Sequence, residues 1–313
     1  MNFIKPKKLK RGELIGIISP ASAPDNSSIV ENGVKYIESL GYRTILGKNV
    51  GKVRGYLAGT DEQRIEDIHQ MFSDKKVKAV FCLRGGYGAF RLLDKIDYKL
   101  IRNNPKIFVG FSEITTLQMA FLEKANLITF AGPMVVSNFS KEISDYTEEN
   151  FWRLLTSKNK PDNIIFSEHK IIYDKKYDKT SGRLIGGNLA VFTSMIGSGY
   201  LPSFKNDILL LEEINEPPYK IDRMLNKLRF NKVFNKLNGI ILGNFIDCEE
   251  PDKKKTSLTI DEVFRDYLGE LKFPVIRSFP HGHTKNILTL PIGTNIKLNL
   301  REGRMEFLES VIR

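Results

Sequence analysis

Gly110-Phe111-Ser112-Glu113-Ile114 puts a serine where an apolar stretch, Ile107 to Val109, gives way at once to a helical pattern. A tight strand-to-helix turn exposes a serine hydroxyl as a nucleophile, and the free amides of the following helix favour developing negative charge. Ile114 stands where that motif usually has a second glycine, and a serine at such a junction can equally be a plain N-cap. Arg84-Gly85-Gly86-Tyr87-Gly88 follows a second apolar run, Val77 to Leu83. Glycines at the carboxyl end of a parallel strand let backbone amides close on an oxyanion or a phosphate, or simply make a turn. Their spacing is not that of a dinucleotide fingerprint, and no Gly-Lys-Ser/Thr follows.

Glu212 and Glu213 end a third run, Ile208 to Leu211. A carboxylate there can orient an imidazole, or both acids can cap a helix starting near Tyr219. Strand alternation turns the two to opposite faces, so only one can meet a given partner. The segment Phe279-Pro280-His281-Gly282-His283 offers a general base, a metal pair or two plain loop histidines. The metal reading wants further Cys, His or Asp at ligand spacing, which the neighbouring sequence lacks. His69 and His169 receive no role.

These segments need elements to position them. At 313 residues, with 41% hydrophobic and 27% charged residues, the chain has the composition of a globular protein of about two domains. No run approaches the roughly 18 apolar residues of a membrane helix, and Leu14 to Ser19 is too short for a signal-peptide core. Two cysteines exclude a disulfide framework and a four-cysteine zinc site. The expectation is a cytoplasmic protein. The net charge of +11 invites an anionic partner, but the lysines are scattered, without a basic stripe interleaved with aromatics, so neither nucleic acid nor membrane is expected.

Strands predicted at 14–19, 43–46, 77–83, 107–109 and 127–130 alternate with helical patterns, among them a Thr60/Gln63 capping box and a helix at 89–95. Such alternation predicts a doubly wound parallel sheet. Between 141 and 182 charge rises and the apolar pattern fades, which reads as a linker. Gly186-Gly187 then reads as a turn opening a helix from Asn188, and the tail as short strands. The predicted fold class is α/β: a Rossmann-like parallel-sheet domain over 1–140 and a mixed, sheet-rich domain over 183–313.

Taken together the segments resemble the LD-carboxypeptidases, the muramoyltetrapeptide carboxypeptidase family. The resemblance lies in Val80-Phe-Cys-Leu-Arg-Gly-Gly-Tyr-Gly, Asn104-Pro-Lys-Ile-Phe-Val-Gly-Phe-Ser-Glu-Ile-Thr, Gly186-Gly-Asn-Leu, Leu210-Leu-Glu-Glu-Ile-Asn-Glu-Pro-Pro-Tyr-Lys-Ile-Asp-Arg, Phe279-Pro-His-Gly-His and Leu290-Pro-Ile-Gly. It implies a serine peptidase that releases terminal D-alanine from murein tetrapeptides, with Ser112 as nucleophile, Glu212 as orienting acid and His283 as base. It places the oxyanion hole at the amides of Gly85 and Glu113, and substrate contacts at Arg84, Gly86 and Asn188. It implies no metal or organic cofactor, and a homodimer. Two positions depart from the family: Glu113 replaces the usual Asp, and Ala131-Gly132 stands where His-Gly is expected. Other readings on the same fold are an immunity peptidase cleaving peptidyl- or aminoacyl-nucleotide antibiotics of the microcin C type, and a non-catalytic binder of peptidoglycan fragments.

Overall fold

Continuous apolar runs become central strands because both faces of a parallel sheet are covered by helices. In the computed structural model, which describes residues 3–166, 171–172 and 177–313, β1 (Leu14–Ile18) is followed by α1 (Ser27–Ser39), β2 (Arg43–Leu46), α2 (Asp61–Ser73), β3 (Val77–Cys82), α3 (Tyr98–Asn103), β4 (Ile107–Gly110), α4 (Thr115–Ala125) and β5 (Thr129–Ala131). Then come α5 (Asp145–Thr156), β6 (Ile164–Ile165), β7 (Ile171–Ile172), β8 (Lys179–Asn188), α6 (Leu189–Ser194) and β9 (Ile208–Ile214). The chain finishes with α7 (Pro218–Phe230), β10 (Gly239–Ile246), α8 (Ile260–Leu268), β11 (Val275–Ile276), β12 (Leu290–Ile292), β13 (Asn295–Asn299) and β14 (Arg304–Phe307).

The first sheet has the order β12-β5-β4-β3-β1-β2. Strands β1 to β5 pair in parallel, and β12 adds antiparallel to β5, with Leu290 opposite Ala131 and Ile292 opposite Thr129. Pro291 is tolerated because β12 is an edge strand. The second sheet, β6-β14-β13-β8-β9-β10-β11-β7, is parallel from β8 to β11 and antiparallel on both flanks. The expected α/β class, with one parallel and one mixed sheet, is what the chain adopts.

Several local expectations shift. The Thr60/Gln63 capping box starts α2, but the helix expected at 89–95 is only a 3-10 turn, Ala89–Leu92. Gly186 and Gly187 lie inside β8, not in a turn before a helix. Their φ angles, +109° and +146°, and their closeness to the Leu210 carbonyl and Thr115 Oγ1 leave no room for a side chain. The segment read as a linker holds α5, whose N-cap is Ser144, and the first residues of β8. Its apolar signal is weak because α5 buries one stripe, Phe151, Leu154 and Leu155. Trp152 of that helix stacks on Tyr42, 4.8 Å between ring centres, so α5 packs beside the first sheet.

Candidate active site

At the end of β4 the chain turns so sharply that Ser112 adopts φ 62°, a left-handed conformation costly for a non-glycine residue. The surroundings hold it there. Gly110 O accepts from Gln118 Nε2 (3.0 Å) and from Gly132 N (3.2 Å). Ile114 packs so closely over Gly110 that a methyl group there would stand 2.8 Å from its Cγ2. Ser112 begins a 3-10 turn, Ser112–Ile114, that runs into α4, and neither helix start is capped by a side chain. The plain N-cap reading of Ser112 therefore does not hold.

The glycine turn faces this elbow. A methyl group on Gly85 would lie 3.0 Å from Ser112 Oγ and 3.4 Å from Glu113 N. Gly86, at φ +111°, crosses Ser22 without room for a side chain. Ser22 Oγ accepts from Tyr87 N (3.1 Å) and donates to Tyr56 O (2.7 Å). Arg64, 1% exposed, donates from Nη1 to the carbonyls of Pro20 and Gly88, both at 2.8 Å, while its Nη2 reaches Asp61 Oδ1 at 2.6 Å. A buried guanidinium thus fastens the loops after β1 and β3 together. The Glu113 carboxyl, also buried, accepts from Ala89 N at 2.8 Å and so ties the elbow to the end of the glycine turn. Burial pushes its pKa up to about 7, against the opposing pull of the amides of Ala89, Gly88 and Phe90.

Across the cleft, β9 continues through both acids, which are buried in the strand and do not cap α7. Their side chains part as the pleat requires. Glu212 Oε2 accepts from His283 Nδ1–H at 2.8 Å. Glu213 turns the other way and accepts from Asn188 Nδ2 (2.7 Å), Ala190 N (2.8 Å) and Ile214 N (2.9 Å). Burial raises its pKa to about 7 as well. Gly282, at φ +123°, lets the chain pass close over Glu212 Oε2. His281 is buried, with Nδ1–H donating to Leu288 O (2.8 Å), and burial lowers its pKa. The two histidines thus face different partners rather than one shared ion, and no group of three His, Cys, Asp or Glu side chains that could hold a metal occurs among the described residues.

The structure brings Glu212 to His283, and Gly85 and Glu113 N to Ser112. The two halves meet through Phe111, whose ring centre lies 4.9 Å from that of His283. The hydrogen bonds among the described residues do not include one from Ser112 Oγ to His283. Arg84, expected at the substrate, donates to Asp25 Oδ1 (2.9 Å) and Ala23 O (3.3 Å). Asn188, expected there too, is only 4% exposed. Its Oδ1 caps α6 by accepting from Val191 N, its Nδ2 serves Glu213 and its N–H donates to Thr115 Oγ1. Its backbone N–H and both polar atoms of its side chain are thus engaged by these neighbours.

Sequence reasoning missed Arg64, Ser22 and Thr147. Thr147 Oγ1 donates to Lys285 O (3.2 Å) and accepts from Ile287 N (2.9 Å), while Ser144 Oγ also reaches Lys285 O (3.3 Å). The start of α5 therefore pins the loop after His283. The capping pair Ser144 and Thr147 was the available signal; nothing local marks Arg64.

Comparison with known proteins decides the family. The sequence profile described as the LD-carboxypeptidase N-terminal domain matches residues 15–132, and the one described as its C-terminal domain matches residues 181–298. The chain belongs to the LD-carboxypeptidase family. This LD-carboxypeptidase relative is 36% identical over 307 residues to a Bacillus subtilis protein named "Probable murein peptide carboxypeptidase", covering 95% of this chain and 92% of that one. Its fold matches the muramoyltetrapeptide carboxypeptidase of Oxalobacter formigenes with TM-score 0.81 and 28% identity, over 93% of this chain and 97% of that one. It also matches the microcin C7 self-immunity protein MccF, solved in complex with glutamyl sulfamoyl guanosine. That match has TM-score 0.88 and 27% identity, over 99% of each chain. The resemblance read from the sequence is confirmed at the level of family and two-domain α/β fold, and with it a hydrolase of the carboxypeptidase kind.

Proposed function

We propose that this chain is a serine carboxypeptidase that cuts the bond between an L-centre and a terminal D-alanine in murein tetrapeptides. Ser112 is the nucleophile, His283 its base and Glu212 the acid that orients the imidazole. The observation that carries the reading is the buried Glu212 carboxylate on His283 Nδ1, 2.8 Å away, in the lobe facing the strained Ser112 elbow. Holding Nδ1–H leaves Nε2 as the basic nitrogen for the serine proton. As Ser112 Oγ attacks, the carbonyl oxygen gains charge, and the amides of Gly85 and Glu113 stabilise it, at about 3 kcal/mol for each donor. His283 then passes its proton to the departing amine, and water releases the acyl group. The enzyme works without cofactor, as a cytoplasmic homodimer on recycled wall fragments.

Ser112→Ala is expected to abolish D-alanine release with the melting temperature unchanged within a few degrees. Substantial turnover by that variant overturns the assignment. A second reading, cleavage of aminoacyl sulfamoyl nucleotides, is favoured by the fold match to MccF. Turnover of a tetrapeptide and of glutamyl sulfamoyl guanosine by the same preparation separates the two.

A further inference from the structure

Beside His283 lies a pocket of about 320 Å3 whose lining includes Phe111, Ser137, Asn138, Lys141, His283 and Lys285. We infer that this pocket receives the leaving amino acid, and that Lys141 and Lys285 make the enzyme an exopeptidase by attracting the free carboxylate of that residue. The inference rests on the serine carboxypeptidase reading and deepens it.

The side of the cleft follows from proton bookkeeping. When the C–N bond of the tetrahedral intermediate breaks, the amine nitrogen must take a proton, and the imidazole that took it from Ser112 is its source. The leaving residue therefore sits on the histidine side of the serine. Phe111 and His283 both line this pocket and Ser112 follows Phe111 in the chain, so the pocket adjoins the place where that bond breaks. A terminal residue differs from an internal one by a single negative charge, and this pocket holds the means to read it. Lys141 and Lys285 are exposed, and neither pairs with a carboxylate among the described residues. Glu142 lines the pocket as well, so the lysines leave it with an excess of positive charge.

The walls are built, not draped. Residues Val135–Phe139 form a π-helical turn, an uncommon conformation frequent at functional sites. Within it Asn138 Oδ1 accepts from Met134 N at 2.9 Å, which fixes the side chain. The opposite wall is the loop held by Ser144 and Thr147 through Lys285 O and Ile287 N. Two separate segments are thus locked around one opening.

The test compares a murein tetrapeptide ending in free D-alanine with the same peptide carrying a C-terminal amide, using the full chain. Wild type is expected to favour the acid by about tenfold in kcat/KM, mostly through KM, and less at high salt because the lysines are solvated. In the double variant Lys141→Met with Lys285→Met the ratio of kcat/KM for the acid to that for the amide should fall to about one, chiefly through a higher KM for the acid, and Lys→Arg at both positions should bring the ratio back. A wild type that cuts both peptides equally overturns the inference. So does a double variant that keeps the preference, or one that loses both substrates alike. Preference lost with Ser112-dependent cleavage intact supports it. If wild type cuts neither peptide, the carboxypeptidase reading fails first and this inference falls with it.

Discussion

Single residues here are held in states they would not choose alone. Ser112 at φ 62° is fixed by hydrogen bonds to Gly110 O and by the packing of Ile114, the cost being repaid by the oxygen's position opposite Gly85. Gly85→Ala places a methyl group 3.0 Å from Ser112 Oγ, while Gly85 needs no left-handed backbone. The expected result is a fall in kcat/KM of roughly 100-fold or more with little change in melting temperature, read by steady-state kinetics beside a thermal melt. Glu113 and Glu213 are held the other way, as buried carboxyls whose pKa values rise from 4.5 to about 7. The native state therefore binds protons that the unfolded chain releases between those values. The contribution of these two groups to stability is greatest below about pH 4.5 and declines as pH rises to 7, by up to about 1.4 kcal/mol per pH unit for each group. Glu113→Gln removes its share, so denaturant midpoints measured from pH 4.5 to 8 should slope less than wild type; an unchanged slope contradicts the account. The segments of Ser112, Glu212 and His283 stood out as candidates because they have short-range signatures, and the fold joins Glu212 to His283. Asn188 was harder to read, because an amide side chain next to glycines fits a ligand contact and a helix cap equally well, and in the fold its Oδ1 caps α6.

Elements supply what the single positions cannot. The parallel strands were legible because each is an almost unbroken apolar run, as in Val77–Cys82, where only Lys78 is exposed. α5 was not, since a helix that buries one stripe among Asp, Glu and Asn looks like a solvated connection. Yet its first turn anchors the segment behind His283. Thr147→Val keeps the shape of a side chain that is 1% exposed but strands the Ile287 N–H and leaves the Lys285 carbonyl only the Ser144 hydroxyl. The loss should be about 1–3 kcal/mol in stability, together with a several-fold lower kcat as the histidine loop loosens. Chemical denaturation and kinetics on one preparation check both. Stability lost without any effect on kcat would mean that α5 supports the fold but not the site.

At the scale of the whole molecule the first sheet takes an edge strand from the far end of the chain and is packed by α5, which a division into 1–140 and 183–313 does not express. β12 comes from the last 25 residues of the chain, yet it closes the edge of the first sheet at β5. Trp152 of α5 stacks on Tyr42, and Phe151 meets Phe81 of β3 at 5.6 Å. Such long-range pairing was invisible in the sequence because Leu290-Pro291-Ile292 is too short to declare its partner and a proline argues against a central strand. If these contacts couple the lobes, neither can lose its core while the other keeps its own. Thermal unfolding should then be one cooperative transition, with the calorimetric peak, the fluorescence of the single tryptophan Trp152 and the loss of D-alanine release coinciding in temperature. Two resolved transitions, with tryptophan fluorescence following only one of them, would show that β12 and α5 release the first sheet before the second melts. The cleft between Ser112 and His283 would then open by separation of the lobes rather than by movement of a loop.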